Sequence, residues 1–386
     1  MKCKLGEIVD VIMGQSPKSE FYNTEGKGYP FLQGNRTFGL KYPTFDIYTT
    51  LLTKLAEAGD VIMSVRAPVG ELNITPVDMC LGRGVCSLRM KNGNQSYLFY
   101  MMKYYIPYLL QKESGTVFGS VSKRDITELE VDIIEDVEKQ KKIARYLEMI
   151  DDKIELNNEI NNNLKQQAQA IFKAWFVDFE PFNGEMPSDW ITGTVDNLGT
   201  EIICGKTPST KKKEYYGGNI PFITIPDMHG CVYNVSTERY LSAAGVASQP
   251  KKTLPPNTIC VSCIGTAGLV TLVSEKSQSN QQINSIVPKE GISSYYIYLL
   301  MQTLSETINK LGQSGSTIVN LNKTQFSKIQ VAIPSEQVLY NFDTLCKPLF
   351  EMIHSNQKEN IKLANLRDAL LAKLMAGELD ISDIDL

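Results

Sequence analysis

The 386-residue sequence lacks any run of 18 or more apolar residues, which excludes a helix spanning a bilayer. The first residues, Met1 to Glu7, carry no apolar signal stretch, so a cytoplasmic location is expected. Histidine is scarce: His229 and His354 are the only two, little material for a His-rich metal site or a histidine-based triad. Eight cysteines, at 3, 80, 86, 204, 231, 260, 263 and 346, are scattered rather than dense, unlike a small disulfide-stapled scaffold. Cys260 and Cys263 form a C-x-x-C without a second pair at zinc-ribbon spacing. They read instead as small buried hydrophobes in a strand.

Catalytic motifs are missing too. Gly205-Lys206-Thr207 resembles the end of a phosphate-binding loop, but the glycine required five residues earlier is Thr200. A base-modifying methyltransferase needs a Gly-rich cofactor loop and an Asp- or Asn-Pro-Pro-aromatic motif. The closest match, Leu254-Pro255-Pro256-Asn257, has neither the leading group nor the aromatic. No nuclease cluster of Asp, Glu and Lys and no helicase motif is found. A chain with no catalytic residues, metal or cofactor of its own is expected.

What is present is enough apolar material, 42% of residues, for two cores of ordinary domain size. The net charge of −4 is unevenly spread. Residues 1–135 hold 15 basic and 15 acidic side chains, and 190–334 hold 12 and 8. Segments 136–189 and 335–386 each carry four more acids than bases. Basic side chains in the first and third segments can therefore gather on one face, which permits a nucleic-acid partner.

The chain is written twice. At an offset of 191, Gly14-Gln15-Ser16-Pro17 pairs with Gly205-Lys206-Thr207-Pro208, Tyr29-Pro30-Phe31 with Ile220-Pro221-Phe222, and Gly39 with Gly230. Leu5-Gly6 is taken as the counterpart of Leu198-Gly199. At an offset of 198, residues 60–64 pair with 258–262 and Gly70 with Gly268. At 200, SGTVFGSVSK (114–123) lies over SGSTIVNLNK (314–323). The matched residues are mainly glycines, prolines, aromatics and alternating aliphatics, which specify a backbone and a core. Where the offset changes, loops must differ in length. Strands are expected at 60–65, 85–90, 258–263 and 283–287, and helices at 96–111 and 293–311. Final strands are expected at 130–134 and 330–333. Each copy thus reads as an α/β or α+β domain with a partly antiparallel sheet.

After each copy the period changes. Ile143, Leu147, Ile150, Ile154, Asn157, Asn161, Leu164, Ala168, Ile171 and Trp175 alternate spacings of 4 and 3, the seam of a coiled coil. Leu345, Leu349, Met352, Asn356, Glu359, Leu363, Leu366 and Leu370 form a second seam, read as equally unbroken. At ~1.5 Å per residue, such a helix is a rod of roughly 50 Å. Asn157 and Asn161 in one seam and Asn356 and Glu359 in the other are expected to meet as a register-fixing polar layer. The order domain, helix, domain, helix favours an antiparallel pair and a pseudo-twofold arrangement. The domains are read as 1–135 and 186–334, the spacer helices as 136–185 and 335–386.

These features together resemble the specificity subunit of type I restriction-modification systems over nearly the whole chain. The carriers are LGEIV at 5–9, LGTEI at 198–202, the two Gly-x-Ser/Thr-Pro turns and GDVIMSVRAPVG at 59–70. Further carriers are the S-G-x stretches ending in Lys123 and Lys323, EKQKKIARYLEMIDDKIELN at 138–157 and LLAKLMAGELD at 370–380. The resemblance implies two target recognition domains, each reading half of a split double-stranded DNA site, with the helices as a ruler. It implies two methyltransferase subunits and motor-nuclease restriction subunits as partners. S-adenosylmethionine, ATP and Mg then belong to those partners. Heads roughly 50 Å apart would span at most about 15 base pairs at ~3.4 Å each.

Base edges call for Arg or Lys at guanine and Asn or Gln at adenine, and phosphates for Lys, Arg and small polar groups. On that basis the candidates in the first copy are Gln33, Asn35, Arg36, Lys41, Arg66, Arg83, Ser122, Lys123 and Arg124. In the second they are Lys211, Lys212, Lys213, Thr224, His229, Gln281, Gln282, Asn320, Asn322 and Lys323. Arg83 and Gln281 are equivalent positions of different chemistry. Two competing readings stay open at this point: a stand-alone methyltransferase or nuclease, and an assembly scaffold that binds proteins only.

Overall fold

The computed structural model describes residues 1–111, 119–313 and 319–379. Contacts divide the chain into two units: unit 1 is Met1–Glu155 with Lys362–Leu386, and unit 2 is Leu156–Ile361. The cut runs through both long helices, so each unit owns a piece of each.

In unit 1, strands Val9–Met13, Val85–Met90, Val61–Ser64 and Leu72–Ile74 form a sheet in that order, all pairs antiparallel. Val9 and Val11 face the core while Asp10 faces water, the alternation of an edge strand. The central strand Val85–Met90 is buried along almost its whole length. A second sheet contains Tyr29–Leu32 parallel to Met79–Leu81. Lys2–Lys4 pairs with Glu130–Asp132. Helix Gln95–Gln111 closes the core with Tyr97, Leu98, Phe99, Tyr100, Met101 and Met102, all fully buried.

Unit 2 repeats the plan. Gly199–Cys204, Ile283–Pro288, Ile259–Ser262 and Val270–Val273 follow in the same order, with Tyr233–Asn234 added in parallel at the edge. Tyr216–Ile223 runs parallel to Ser277–Ser279, and Ile191–Thr194 pairs with Gln330–Ile333. The fold is mixed α/β, with two similar domains.

Three expectations need correction. Leu5 corresponds to Val195, not Leu198: each is fully buried, and their backbone N–H groups donate to Leu129 O and Ile329 O. A bulge between Gly199 and Glu201 admits Thr200 as an extra residue, so the offset between the copies changes from 190 to 191 at this strand. The helix expected over 293–311 is two, Ser294–Thr303 and Ser305–Gly312, meeting at Leu304. The second long helix does contain a proline, Pro348, and it follows the expected seam only in part: Leu349, Asn356, Glu359 and Leu370 face inward. Leu345, Met352 and Leu366 are 48%, 52% and 50% exposed, whereas Cys346 and Ile353 are fully buried and Arg367 reaches the interior.

The long helices are Val137–Phe176 and Glu336–Met375. Within unit 2 they run antiparallel. Asn157 Nδ2 donates to Glu359 Oε2 and Asn360 Oδ1, each at 2.8 Å, and Asn356 Nδ2 donates to Asn161 Oδ1 at 2.9 Å. Further along, Phe172 and Phe176 pack on Phe342 and Tyr296. Within unit 1 the pairing has the same sense: Arg367 donates to Asp151 at 2.7 Å, and Leu371 and Leu374 enter the core with Ile143 and Leu147.

Unit 2 is expected to lose stability as pH falls below neutrality. His354 Nε2 lies 2.7 Å from Ser274 Oγ, and its ring stacks on Tyr233 with centroids 4.2 Å apart. Burial, and then Lys358, push its pKa below the usual histidine value. The unfolded chain therefore takes up the proton first. The stabilising contribution is complete above about pH 6.5 and is lost as pH drops through the folded value. Urea midpoints at pH 7.5 and pH 5 should fall further for the wild type than for His354→Phe. Equal falls would assign the pH response to other groups.

Candidate nucleic-acid interface

In each unit a set of turns is stitched together at one end of the main sheet. In unit 1, Gly14 N donates to Val85 O, Gln15 N to Leu81 O, Gly82 N to Leu32 O, Val65 N to Gly84 O and Val121 N to Val65 O. In unit 2 the equivalent bonds run from Gly205 to Ile283, Lys206 to Ser279, Asn280 to Ile223, Cys263 to Gln282 and Leu321 to Cys263. An isolated bridge joins Arg66 to Ser120, and its counterpart joins Ile264 to Asn320. The shared turns need glycine because the backbones nearly touch. A Cβ on Gly14 would sit 2.1 Å from Gly82 O, and one on Gly205 2.1 Å from Asn280 O.

Onto this common backbone the two copies hang different side chains. In unit 1 the edge carries Arg66, Arg83, Lys123 and Arg124, all exposed and without an ion pair among the described residues. Ser16 Oγ donates to Gln33 Oε1 at 3.0 Å and accepts from Arg83 N at 3.1 Å, tying Gln33 to the Arg83 turn. In unit 2 the matching hydroxyl, Thr207 Oγ1, donates to Gln281 Oε1 at 2.7 Å. Gln281, Asn320 and Lys323 are exposed there. Both hydroxyls belong to the Gly-x-Ser/Thr-Pro turns. Their spacing showed a turn in the sequence, but nothing there marked them as the groups that orient an amide.

Several candidates have other work. Lys41 is 5% exposed, 3.3 Å from Asp152 and 3.8 Å from Glu148. Burial opposes its charge, but Tyr42 and these two acids outweigh it and raise its pKa. It is thus an internal cation and leaves the interface. Thr224 is buried, and its Oγ1 donates to Asp227. Ser122 and Asn322 cap the short helices Lys123–Thr127 and Lys323–Ser327 in reciprocal capping boxes. Ser122 donates to Asp125 and holds its carboxyl below the usual range. These two residues thus aim the following Lys123 and Lys323, both exposed at the first helical position. Asn35 donates to Glu71, Arg36 pairs with Asp46, and Gln282 is bonded to Asn280 and Ile264 O. Lys211, Lys212, Lys213 and His229 are exposed; Lys212 donates to the Tyr215 hydroxyl at 3.0 Å, and Lys213 opens the short 3-10 helix Lys213–Tyr215. The S-G-x segments at 114–116 and 314–316, and residue 380 of the C-terminal stretch, lie outside the described residues.

Cys260 and Cys263 are buried in or beside strand Ile259–Ser262, and burial pushes both thiols up to about 12. Among the described residues no group of three or more His, Cys, Asp or Glu is placed to hold a metal ion, and no helix is long and apolar enough to cross a membrane.

A duplicated mixed domain that presents one edge twice, with a lysine at the same helix start in both copies but Arg66 and Arg83 in one where Ile264 and Gln281 stand in the other, is a polar recognition scaffold. Residues 1–166 and 187–362 each match the type I restriction modification DNA specificity domain, and the chain belongs to that family. It is 35% identical to the type I restriction enzyme HindI specificity subunit of Haemophilus influenzae, over 71% of this chain and 74% of that one. It is 26% identical to the MjaIX specificity subunit of Methanocaldococcus jannaschii, over 99% of this chain and 94% of the relative. The S subunit structure from M. genitalium has the same fold, with a TM-score of 0.62 at 17% identity, covering 97% of this chain and 95% of that one. The role of this chain is DNA sequence specificity within a restriction-modification complex.

Proposed function

We propose that the chain reads a bipartite duplex target, one half-site per unit, and directs separate methyltransferase and restriction subunits to it while doing no chemistry itself. The observation that carries this reading is the stitched edge built twice on one backbone with different side chains. A scaffold that bound only proteins would have no need for two chemically distinct polar edges on a matched frame. S-adenosylmethionine, ATP and Mg are assigned to the partner subunits, and the complex to the cytoplasm. Exposed apolar side chains on the long helices, Met149, Leu156 and Ile160 on the first and Tyr340, Leu345 and Met352 on the second, suit the docking of such subunits.

Lys123→Ala and Lys323→Ala are each expected to weaken DNA binding by the complex for all sequences alike. Each should flatten the dependence of log affinity on log salt by roughly one unit. Filter binding across a salt series reads both quantities. Unchanged affinity in both variants removes the lysines from the interface. Incubation of the purified chain with labelled S-adenosylmethionine and DNA should transfer no label, and transfer by this chain alone would overturn the non-catalytic reading.

A further inference from the structure

We propose that Arg83 and Gln281 are the specificity-determining residues that make the two half-sites chemically different: Arg83 reads a guanine in one, and Gln281 an adenine in the other. The proposal rests on the reading of both edges as DNA-binding and names what each recognises.

The two residues occupy one position of the repeated frame. Arg83 lies between Gly82 and Gly84, whose backbone groups bond to Leu32 O, Gln33 O and Val65 N. Gln281 lies between Asn280 and Gln282, whose backbone groups bond to Ile223 O and Cys263 N. A side chain at this position therefore starts from the same place in either unit. The two differ in what they can bind. An exposed guanidinium matches the O6 and N7 acceptors of guanine, whereas a carboxamide matches the N6 donor and N7 acceptor of adenine.

The surroundings favour a base edge over a phosphate most directly at Gln281. Ser16 fixes the Arg83 turn through the backbone N–H, which leaves the guanidinium uncommitted among the described residues. Two other arginines of unit 1 are committed, Arg89 to Asp60 and Glu57 and Arg36 to Asp46, whereas Arg66 beside the same turn is, like Arg83, free among the described residues to meet DNA. In unit 2, Thr207 takes one lone pair of Gln281 Oε1. That bond orients the amide while leaving its NH₂ group and second lone pair to face a base. An amide held in this way is a poor phosphate ligand, because it lacks charge. The neighbouring Arg66 is Ile264 in unit 2, so the cations at these two positions of the edge are not shared, although Lys123 and Lys323 are.

The test is selection from a randomised duplex library by the full chain, bound to its methyltransferase partner, as wild type, Arg83→Gln and Gln281→Arg. The wild type should enrich a two-part motif. Arg83→Gln should lower discrimination for one guanine by roughly tenfold to a hundredfold and leave the other half-site intact. Gln281→Arg should shift one position in that other half-site from adenine toward guanine. Thermal melting of the variants should match the wild type, since both side chains are exposed. A uniform loss of affinity without a change of motif would mean phosphate contacts and overturn the inference, as would motifs unchanged in both variants. If the wild type enriches no motif, the reading of the chain as a sequence reader falls, and this inference falls with it.

Discussion

Asp151→Ala is expected to cost unit 1 about 3–5 kcal/mol, the range for breaking a buried ion pair from one side. The Asp151 side chain, on the first long helix, is 2% exposed. Arg367 of the second long helix donates to its Oδ1 at 2.7 Å, and the Tyr100 hydroxyl donates to Oδ2 at 2.9 Å. Lys103 approaches at 3.5 Å. Burial already lowers the Lys103 pKa, with Asp151 as the charge that opposes the shift. Removal of the carboxylate would leave a guanidinium and an ammonium facing each other with their common partner gone. The loss can be assigned to one unit, because both tryptophans, Trp175 and Trp190, belong to unit 2. Circular dichroism in urea should show an early transition that tryptophan fluorescence does not share. Coincident transitions at the wild-type midpoint would show that this cluster is not what joins the two helices in unit 1.

The corresponding turn of the second helix handles the same place differently. Phe350 stacks on Tyr295 with centroids 4.5 Å apart and meets Tyr298, the counterpart of Tyr100, edge-on at 5.4 Å. The pattern explains which features could be read from residues alone. The repeat was legible because it is carried by glycines at close backbone approaches and by aliphatics in strands, whose requirements are local. The seam of the first helix was legible for the same reason, since Ile143, Leu147 and Ile154 are both apolar and buried. The second seam was misread at alternate positions. Its inward-facing line includes the buried Cys346 and the half-buried Asn360 and Arg367, polar or small residues; the last two find partners, Asn157 and Asp151, from far away in the chain. Leu345, Met352 and Leu366 looked more suitable but face outward. Among the candidate DNA contacts, the charge of Lys41 was visible and its enclosure by Glu148 and Asp152 was not. Ser122 and Asn322 each precede a Gln or Asp by three residues, a local signal of helix caps that base-reading logic passed over.

Asp60→Ala should destabilise unit 1 by about 3 kcal/mol, yet the double change Asp60→Thr with Arg89→Val should recover most of that loss. The Asp60 side chain is 3% exposed at the start of strand Val61–Ser64. It accepts from Arg89 Nε and NH2, each at 2.8 Å, from Ser87 Oγ at 2.7 Å and from Glu57 N at 3.0 Å. Loss of the carboxylate alone strands these donors, although Arg89 keeps Glu57 and partial contact with water, which holds the cost to the lower end of the range. In unit 2 the same frame positions carry Thr258 and Val287, with Ser285 in place of Ser87. Thr258 is fully buried and satisfies its hydroxyl on Pro255 O at 2.7 Å. One backbone thus supports a charged and an uncharged solution. Replacing both members of a buried pair by well-packed residues is often neutral, whereas removing one is not. Urea unfolding of the two single variants and the double completes the cycle, with a coupling energy of about 2 kcal/mol or more expected. Additive losses would mean that the pair contributes to unit 1 through two independent sites, and that the second copy's solution cannot be transplanted into the first.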